Sequence, residues 1–134
     1  KKKKILIVDD DRFLVDMYSM KFANAGFEVL AYFSAEEVLK AVAEDNISPD
    51  ICLIDIIMPN MDGFELIEKL KQEENFKSSL FVVLSNLGQK EDVNRGREYG
   101  LAGYIIKASA TPAEVVKMIS DLAEGKSISN NALA

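Results

Sequence analysis

The sequence predicts an α/β fold, a doubly wound parallel sheet of five strands with five helices, on the strength of two observations. Short continuous apolar runs such as Ile5-Leu-Ile-Val8 recur along the chain, and such runs are typical of strands covered on both faces. Longer amphipathic stretches alternate with them, which favours parallel strands joined by right-handed helical crossovers. For such a sheet we expect the common strand order 2-1-3-4-5.

Apolar runs predict the five strands over residues 5–8, 27–32, 51–54, 80–84 and 102–106.

The first two helices follow the first two strands and carry recognisable end signals. Residues 12–25 carry an apolar stripe at helical spacing, and Gly26 closes this first helix as a C-cap. Ser34 and Glu37 form a capping box, so we expect a second helix that runs to about residue 44.

The remaining three helices are predicted by spacing and caps. Apolar residues between positions 64 and 70 predict the third helix, which follows a turn-rich loop over residues 58–63. A polar stretch over residues 89–99, closed by Gly100, predicts the fourth helix. Thr111, with proline in the first turn and a glutamate as box partner, opens the fifth helix, which ends at Gly125.

Composition excludes several classes of function. The 134 residues fit one domain, predicted over residues 1–125, with a short and frayed polar tail over residues 126–134. A net charge of −6 argues against direct nucleic-acid binding, which needs basic surface. No apolar stretch approaches the ~18 residues that cross a bilayer, so we expect no membrane span. The chain has no histidine, which excludes Ser-His-Asp catalysis, and its one cysteine, Cys52, favours a reducing, cytoplasmic location.

Polar residues end four of the five predicted strands. Asp9, Asp10 and Asp11 follow the first strand and Asp55 follows the third, which is its neighbour in the expected order. Two carboxylates at ~4 Å repel by about 4 kcal/mol at an effective dielectric constant of 20, so such a cluster favours a bound cation. An open, all-oxygen site suits Mg²⁺.

The fourth and fifth strands add a hydroxyl and an ammonium group to the same edge. Ser85 ends the fourth strand and Lys107 ends the fifth. A metal ion, a lysine and a hydroxyl around one carboxylate can hold three phosphoryl oxygens, which is what phosphoryl transfer needs. Asp55, at the end of the central strand, is the best candidate for a carboxylate that accepts the phosphoryl group.

These residues resemble the receiver domain of bacterial response regulators. The resemblance rests on Ile-Leu-Ile-Val-Asp-Asp at 5–10, on Asp55 followed by Met-Pro-Asn-Met-Asp-Gly at 58–63, on Ser85 and on Lys107. Ser85 follows Asp55 by 30 positions and Lys107 follows Ser85 by 22, as in that family. The resemblance covers residues 3–125 and implies a single-domain receiver with the three-layer sandwich of flavodoxin.

The resemblance also implies roles. Asp55 would take a phosphoryl group from a phosphohistidine on a histidine kinase or phosphotransfer protein. Mg²⁺, with Mn²⁺ able to substitute, would be held by Asp10, Asp55 and the backbone carbonyl of Ile57, and by Asp9 through water. Ser85 and Lys107 would bind the phosphoryl oxygens. The chain would thus catalyse its own phosphorylation and slow dephosphorylation without being a turnover enzyme.

A switch at the fifth strand is implied as well. Ser85 and Tyr104 would move inward on phosphorylation and change the face formed by the fourth helix, fifth strand and fifth helix. That face would bind a downstream protein target or a second copy of the chain. The chain departs from the family at Ala108, where many receivers have a cis-proline, and at Asn86, where a very small residue is usual.

Simpler roles are expected for several neighbouring residues. Asp11 and Asp62 are expected to cap the first and third helices rather than to bind a ligand. Cys52 is expected to be a small, buried apolar residue.

Other functions remain open at this point. A degenerate receiver would act as a docking module independent of phosphorylation. A carrier of flavin mononucleotide shares the fold, but its phosphate loop should be rich in Ser, Thr and Gly, whereas this loop is Asp-Asp-Asp-Arg. An aspartate-dependent phosphatase shares the acyl-phosphate chemistry but would need a substrate pocket, for which the chain leaves little room.

Overall fold

The sheet has the predicted order. The computed structural model describes residues 2–128 and 131–133. Its strands are β1 (Lys4–Val8), β2 (Glu28–Tyr32), β3 (Ile51–Ile54), β4 (Leu80–Ser85) and β5 (Gly103–Ile106). All pair in parallel in the order β2-β1-β3-β4-β5, which confirms the doubly wound sheet and places β2 and β5 at its edges.

Five helices join the strands, and the predicted caps are in place. The helices are α1 (Arg12–Asn24), α2 (Ala35–Asp45), α3 (Gly63–Leu70), α4 (Lys90–Arg97) and α5 (Pro112–Ala123). The side chains of Asp11, Ser34, Asp62 and Thr111 each accept a hydrogen bond from the backbone N–H three residues ahead. Two short 3₁₀ helices, Glu74–Phe76 and Lys107–Ser109, are not evident in the sequence pattern.

The core lies in two layers, one on each face of the sheet. One layer packs α2, α3 and α4 against Leu6, Cys52 and other residues of the strands, and the second packs α1 and α5 against Ile7 and Leu53. Each central strand therefore buries successive side chains on opposite faces, as its continuous apolar run predicts. Cys52 is fully buried, as expected. No helix among the described residues is long and apolar enough to span a membrane.

The C-terminal segment corrects one prediction. A frayed tail is wrong for residues 131–133, because they pack along the outer edge of β5. The Asn131 side chain accepts a hydrogen bond from the Tyr104 N–H (3.0 Å), and the Ala132 N–H donates to the Tyr104 carbonyl (2.9 Å). An edge strand presents unpaired backbone groups, and this segment satisfies two of them. Residues 129, 130 and 134 lie outside the described part of the chain.

Candidate functional site

The predicted residues meet in one cavity outside the carboxyl ends of the strands. This open cavity has a volume of about 260 Å³ and is lined by Asp9, Asp10, Asp11, Asp55, Ile57, Ser85, Asn86 and Lys107. The place is the one where doubly wound sheets bind their ligands, because helices and loops diverge there. Of the residues predicted for the site, only Tyr104 lies outside this lining.

Three carboxylates form a cluster that could hold a metal ion. Asp9, Asp10 and Asp55 each offer a carboxylate oxygen, and these oxygens all lie within 4.8 Å of one another. Asp9 and Asp55 are buried at the ends of β1 and β3, whereas Asp10 is exposed. The pairing of Val8 with Ile54 places these two strand ends side by side. Oxygen donors alone, with one side open to water, fit a hard divalent cation.

Lys107 reaches into this cluster from the end of β5. Its Nζ lies 2.7 Å from Asp9 Oδ2 and 3.4 Å from Asp55 Oδ2. Burial of the ammonium lowers the pKa of Lys107, but the hydrogen bond to Asp9 and the charges of Asp55 and Asp9 outweigh this, so the pKa is raised overall. Lys107 is therefore charged at neutral pH. Burial, the largest effect on Asp9, raises the pKa of that carboxyl despite its contact with Lys107.

The two carboxylate oxygens of Asp55 have different partners. Asp55 Oδ1 accepts a hydrogen bond from the Ile56 N–H at 2.8 Å, while Oδ2 faces Lys107.

The loop after β3 returns close to Asp55, and Gly63 makes this approach possible. A Cβ at Gly63 would lie 2.1 Å from the Asp55 carbonyl oxygen. The sequence shows this glycine within a turn-rich loop but gives no sign of which backbone it meets.

Ser85 and Tyr104 are connected through the loop that follows β4. Ser85 is fully buried, and its Oγ accepts a hydrogen bond from the Leu87 N–H at 3.3 Å. The Tyr104 hydroxyl donates to the Leu87 carbonyl at 2.6 Å. Burial raises the pKa of Tyr104 to about 12, so the hydroxyl remains a donor at neutral pH.

The Tyr104 ring is fully buried in this structure, in the inward position that is expected on phosphorylation. Gly96 of α4 leaves room for it, since a Cβ there would lie 3.0 Å from Tyr104 Cδ2. Nothing in the sequence pattern indicates that Gly96 or the Leu87 carbonyl belongs to this arrangement. Both act through contacts with Tyr104 on the following strand.

The two departures from the family pattern have simple structural outcomes. The Lys107–Ala108 peptide bond is trans and begins a short 3₁₀ helix. Asn86 is exposed and lines the cavity, where its amide adds a polar group. The carboxylates, the hydroxyl and the ammonium still meet at one cavity, so nothing in the described structure supports a degenerate receiver.

Comparison with known proteins agrees with the fold and identifies the family. The sequence matches the family model of the response regulator receiver domain over residues 5–120. It is 30% identical over 118 residues to the DNA-binding dual master transcriptional regulator RpaA of Synechocystis, covering 87% of this chain and 46% of that protein. It is also 30% identical over 115 residues to the alkaline phosphatase synthesis transcriptional regulatory protein PhoP of Bacillus subtilis, covering 84% and 45%.

A solved structure of similar length resembles the whole fold. The CheY-like receiver domain protein of Methanospirillum hungatei superposes with a TM-score of 0.83 at 26% identity, covering 93% of this chain and 96% of that one. The chain spans about half the length of the curated relatives it matches. The family match covers most of the sequence, and the chain therefore belongs to the receiver domains of two-component response regulators.

Proposed function

We propose that Asp55 accepts a phosphoryl group from the phosphohistidine of a histidine kinase or phosphotransfer protein. The observation that carries this proposal is the convergence of Asp9, Asp10, Asp55 and Lys107 on one open cavity. An Asp55 oxygen attacks phosphorus, the phosphorus–nitrogen bond breaks, and the imidazole leaves with the electron pair. The product is an aspartyl phosphate.

The residues around Asp55 divide the work of holding the phosphoryl group. Asp9, Asp10, Asp55 and the Ile57 carbonyl would hold Mg²⁺, or Mn²⁺ in its place. When bound, the ion neutralises charge on the phosphoryl oxygens. The Lys107 ammonium and the Ser85 hydroxyl would donate to two further oxygens. The Ile56 N–H fixes Asp55 Oδ1, which leaves Oδ2 to react.

Incubation with a small phosphodonor tests this function. With acetyl phosphate and Mg²⁺, we expect the intact mass to increase by one phosphoryl group, and chelation of the metal should prevent the increase. An unchanged mass under conditions that phosphorylate another receiver domain would contradict the proposal.

Mg²⁺ should stabilise the protein through the carboxylate cluster. At ten times Kd the ion adds about 1.4 kcal/mol to the free energy of unfolding, which raises Tm by roughly 5 °C in a domain of this size. Asp10→Asn should abolish this increase, because it removes a negatively charged ligand. Asp11→Asn is the matched control: asparagine caps helices as well as aspartate, so the increase should persist. Equal increases in both variants, measured by thermal unfolding, would exclude Asp10 as a ligand.

The aspartyl phosphate should hydrolyse slowly. The side chains two positions after Asp55 and Ser85 are Ile57 and Leu87, and neither can orient an attacking water molecule. Ile57 is 58% exposed and lines the cavity, so Ile57→Asn places an amide beside the phosphoryl group without disturbing the core. We expect severalfold faster decay of the radiolabelled variant, with Ile57→Leu as control. Equal decay rates would refute this explanation.

The output of the domain is proposed to be the face formed by α4, β5 and α5. Residues 131–133 lie along the β5 edge of this face, so a downstream protein target or a second copy of the chain would contact the remaining surface of α4 and α5. Tyr104 connects this face to Ser85. Residues 1–125 would form the receiver domain and residues 126–134 its C-terminal tail.

We propose a cytoplasmic location, in keeping with the single, buried Cys52. Direct binding of nucleic acid or membranes by this domain is not expected at a net charge of −6.

A further inference from the structure

The C-terminal segment is tied to the backbone of Tyr104 at two points. Asn131 Oδ1 accepts from the Tyr104 N–H at 3.0 Å, and the Ala132 N–H donates to the Tyr104 carbonyl at 2.9 Å. Asn131 Oδ1 also accepts from the Leu133 N–H at 3.1 Å, which fixes the turn that presents it. Both outward-facing backbone groups of one residue in the edge strand are thereby satisfied.

Further contacts hold the same segment against the fold. Ala132 and Leu133 pack against the core layer that contains Tyr104. The Leu133 carbonyl accepts a hydrogen bond from the Arg97 guanidinium at the end of α4, at 3.1 Å. Ile128, nearer to α5, also approaches β5, since a Cβ on Gly103 would lie 2.9 Å from its Cδ1. The segment therefore contacts both β5 and α4.

From Tyr104, hydrogen bonds continue to the phosphorylation cavity. The Tyr104 hydroxyl donates to the Leu87 carbonyl, and the Leu87 N–H donates to Ser85 Oγ. Ser85 lines the cavity beside Asp55. An unbroken series of contacts thus runs from Asn131 through Tyr104 and Leu87 to a hydroxyl at the cavity. Each connection is a neutral hydrogen bond.

We infer that Asn131 is a positioning residue for phosphoryl binding: it holds Tyr104 inward and thereby keeps Ser85 facing the cavity. The inference rests on the proposed phosphorylation of Asp55. The docked segment favours the arrangement in which Ser85 faces the cavity, so it strengthens the binding of a phosphoryl group. By thermodynamic linkage, a bound phosphoryl group strengthens the docking of the segment by the same factor. Loss of one hydrogen bond of ordinary strength predicts roughly a fivefold decrease in the affinity for the phosphoryl group.

Substitutions at Asn131 test this with beryllofluoride, a mimic of the phosphoryl group, at saturating Mg²⁺. Asn131→Leu removes the acceptor at similar size and should weaken beryllofluoride binding roughly fivefold, as followed by fluorine NMR. Asn131→Asp retains an oxygen that accepts from the same N–H groups and should restore most of the affinity. Binding of Mg²⁺ alone should be unchanged in both variants, because Ser85 is not among the proposed metal ligands.

A double substitution separates positioning from general destabilisation. Tyr104→Phe removes the hydroxyl that contacts Leu87, so adding Asn131→Leu to it should weaken beryllofluoride binding no further. In the wild type, beryllofluoride should slow hydrogen exchange of the Tyr104 and Ala132 amides. If the wild type binds beryllofluoride and Asn131→Leu binds it equally well, or if the two substitutions are additive, the inference is wrong. A wild type that binds no beryllofluoride overturns the proposed function and this inference with it.

Discussion

The Asp55→Asn variant is expected to gain no phosphoryl group under conditions that phosphorylate the wild-type chain completely. The amide is not a nucleophile, yet it keeps the size of the carboxylate. The amide oxygen can still accept a hydrogen bond from the Ile56 N–H, as Asp55 Oδ1 does. The variant should therefore fold normally and lose only the chemistry. Intact mass spectrometry measures the loss, and peptide mapping of the wild type locates the phosphoryl group.

Asp62→Asn is the matched control for this experiment. Asp62 lies in the loop after Asp55 but caps α3 through the Glu65 N–H, and it does not line the cavity. Asparagine caps helices as well as aspartate does, so this variant should be phosphorylated like the wild type. A phosphoryl group that persists on Asp55→Asn, or that maps to another residue of the wild type, would contradict the assignment of Asp55.

Gly63→Ala should be among the most destabilising single-methyl substitutions in the chain. Alanine forms helices better than glycine by about 1 kcal/mol, so propensity alone predicts stabilisation of α3. The new Cβ, however, would lie 2.1 Å from the Asp55 carbonyl oxygen and 2.9 Å from Ile56 Cα, and backbone atoms cannot move aside freely. We expect a loss of about 3 kcal/mol in the free energy of unfolding.

The same substitution should also slow phosphorylation, because it displaces the backbone that carries Asp55; a misplacement of about 1 Å can cost roughly 100-fold in rate. Gly103→Ala is the control. Its Cβ would lie 2.9 Å from Ile128 Cδ1, but that atom ends a flexible side chain and can shift. We expect Gly103→Ala to change the free energy of unfolding by less than about 1 kcal/mol. Urea unfolding compares the two variants, and similar losses would mean that contact with the Asp55 backbone is not the cause.

The features predicted from sequence are those that local chemistry determines. The cap at Ser34 depends on residues within one helical turn, and the strand over residues 51–54 depends on a continuous apolar run. The cluster of Asp9, Asp10 and Asp55 was also predictable, because parallel strands bring their carboxyl ends to one edge of the sheet.

The features that were missed depend on contacts between different elements of the fold. Asn131 reads as part of a polar tail, and only its position against the edge of β5 reveals the hydrogen bond to Tyr104. Gly96 lies within the stretch that the sequence marks only as a polar helix, yet it makes room for the Tyr104 ring. Tyr104 itself was predicted to act as a switch, but the sequence could not show that its ring is already buried.

A crystal structure of the chain with Mg²⁺ and beryllofluoride tests the central claim most directly. We predict beryllium bonded to an Asp55 oxygen, Mg²⁺ among Asp9, Asp10 and Asp55, and fluorine atoms contacting the Ser85 hydroxyl and the Lys107 ammonium. Beryllofluoride bound elsewhere, or an Asp55 side chain turned away from the cavity, would contradict the account.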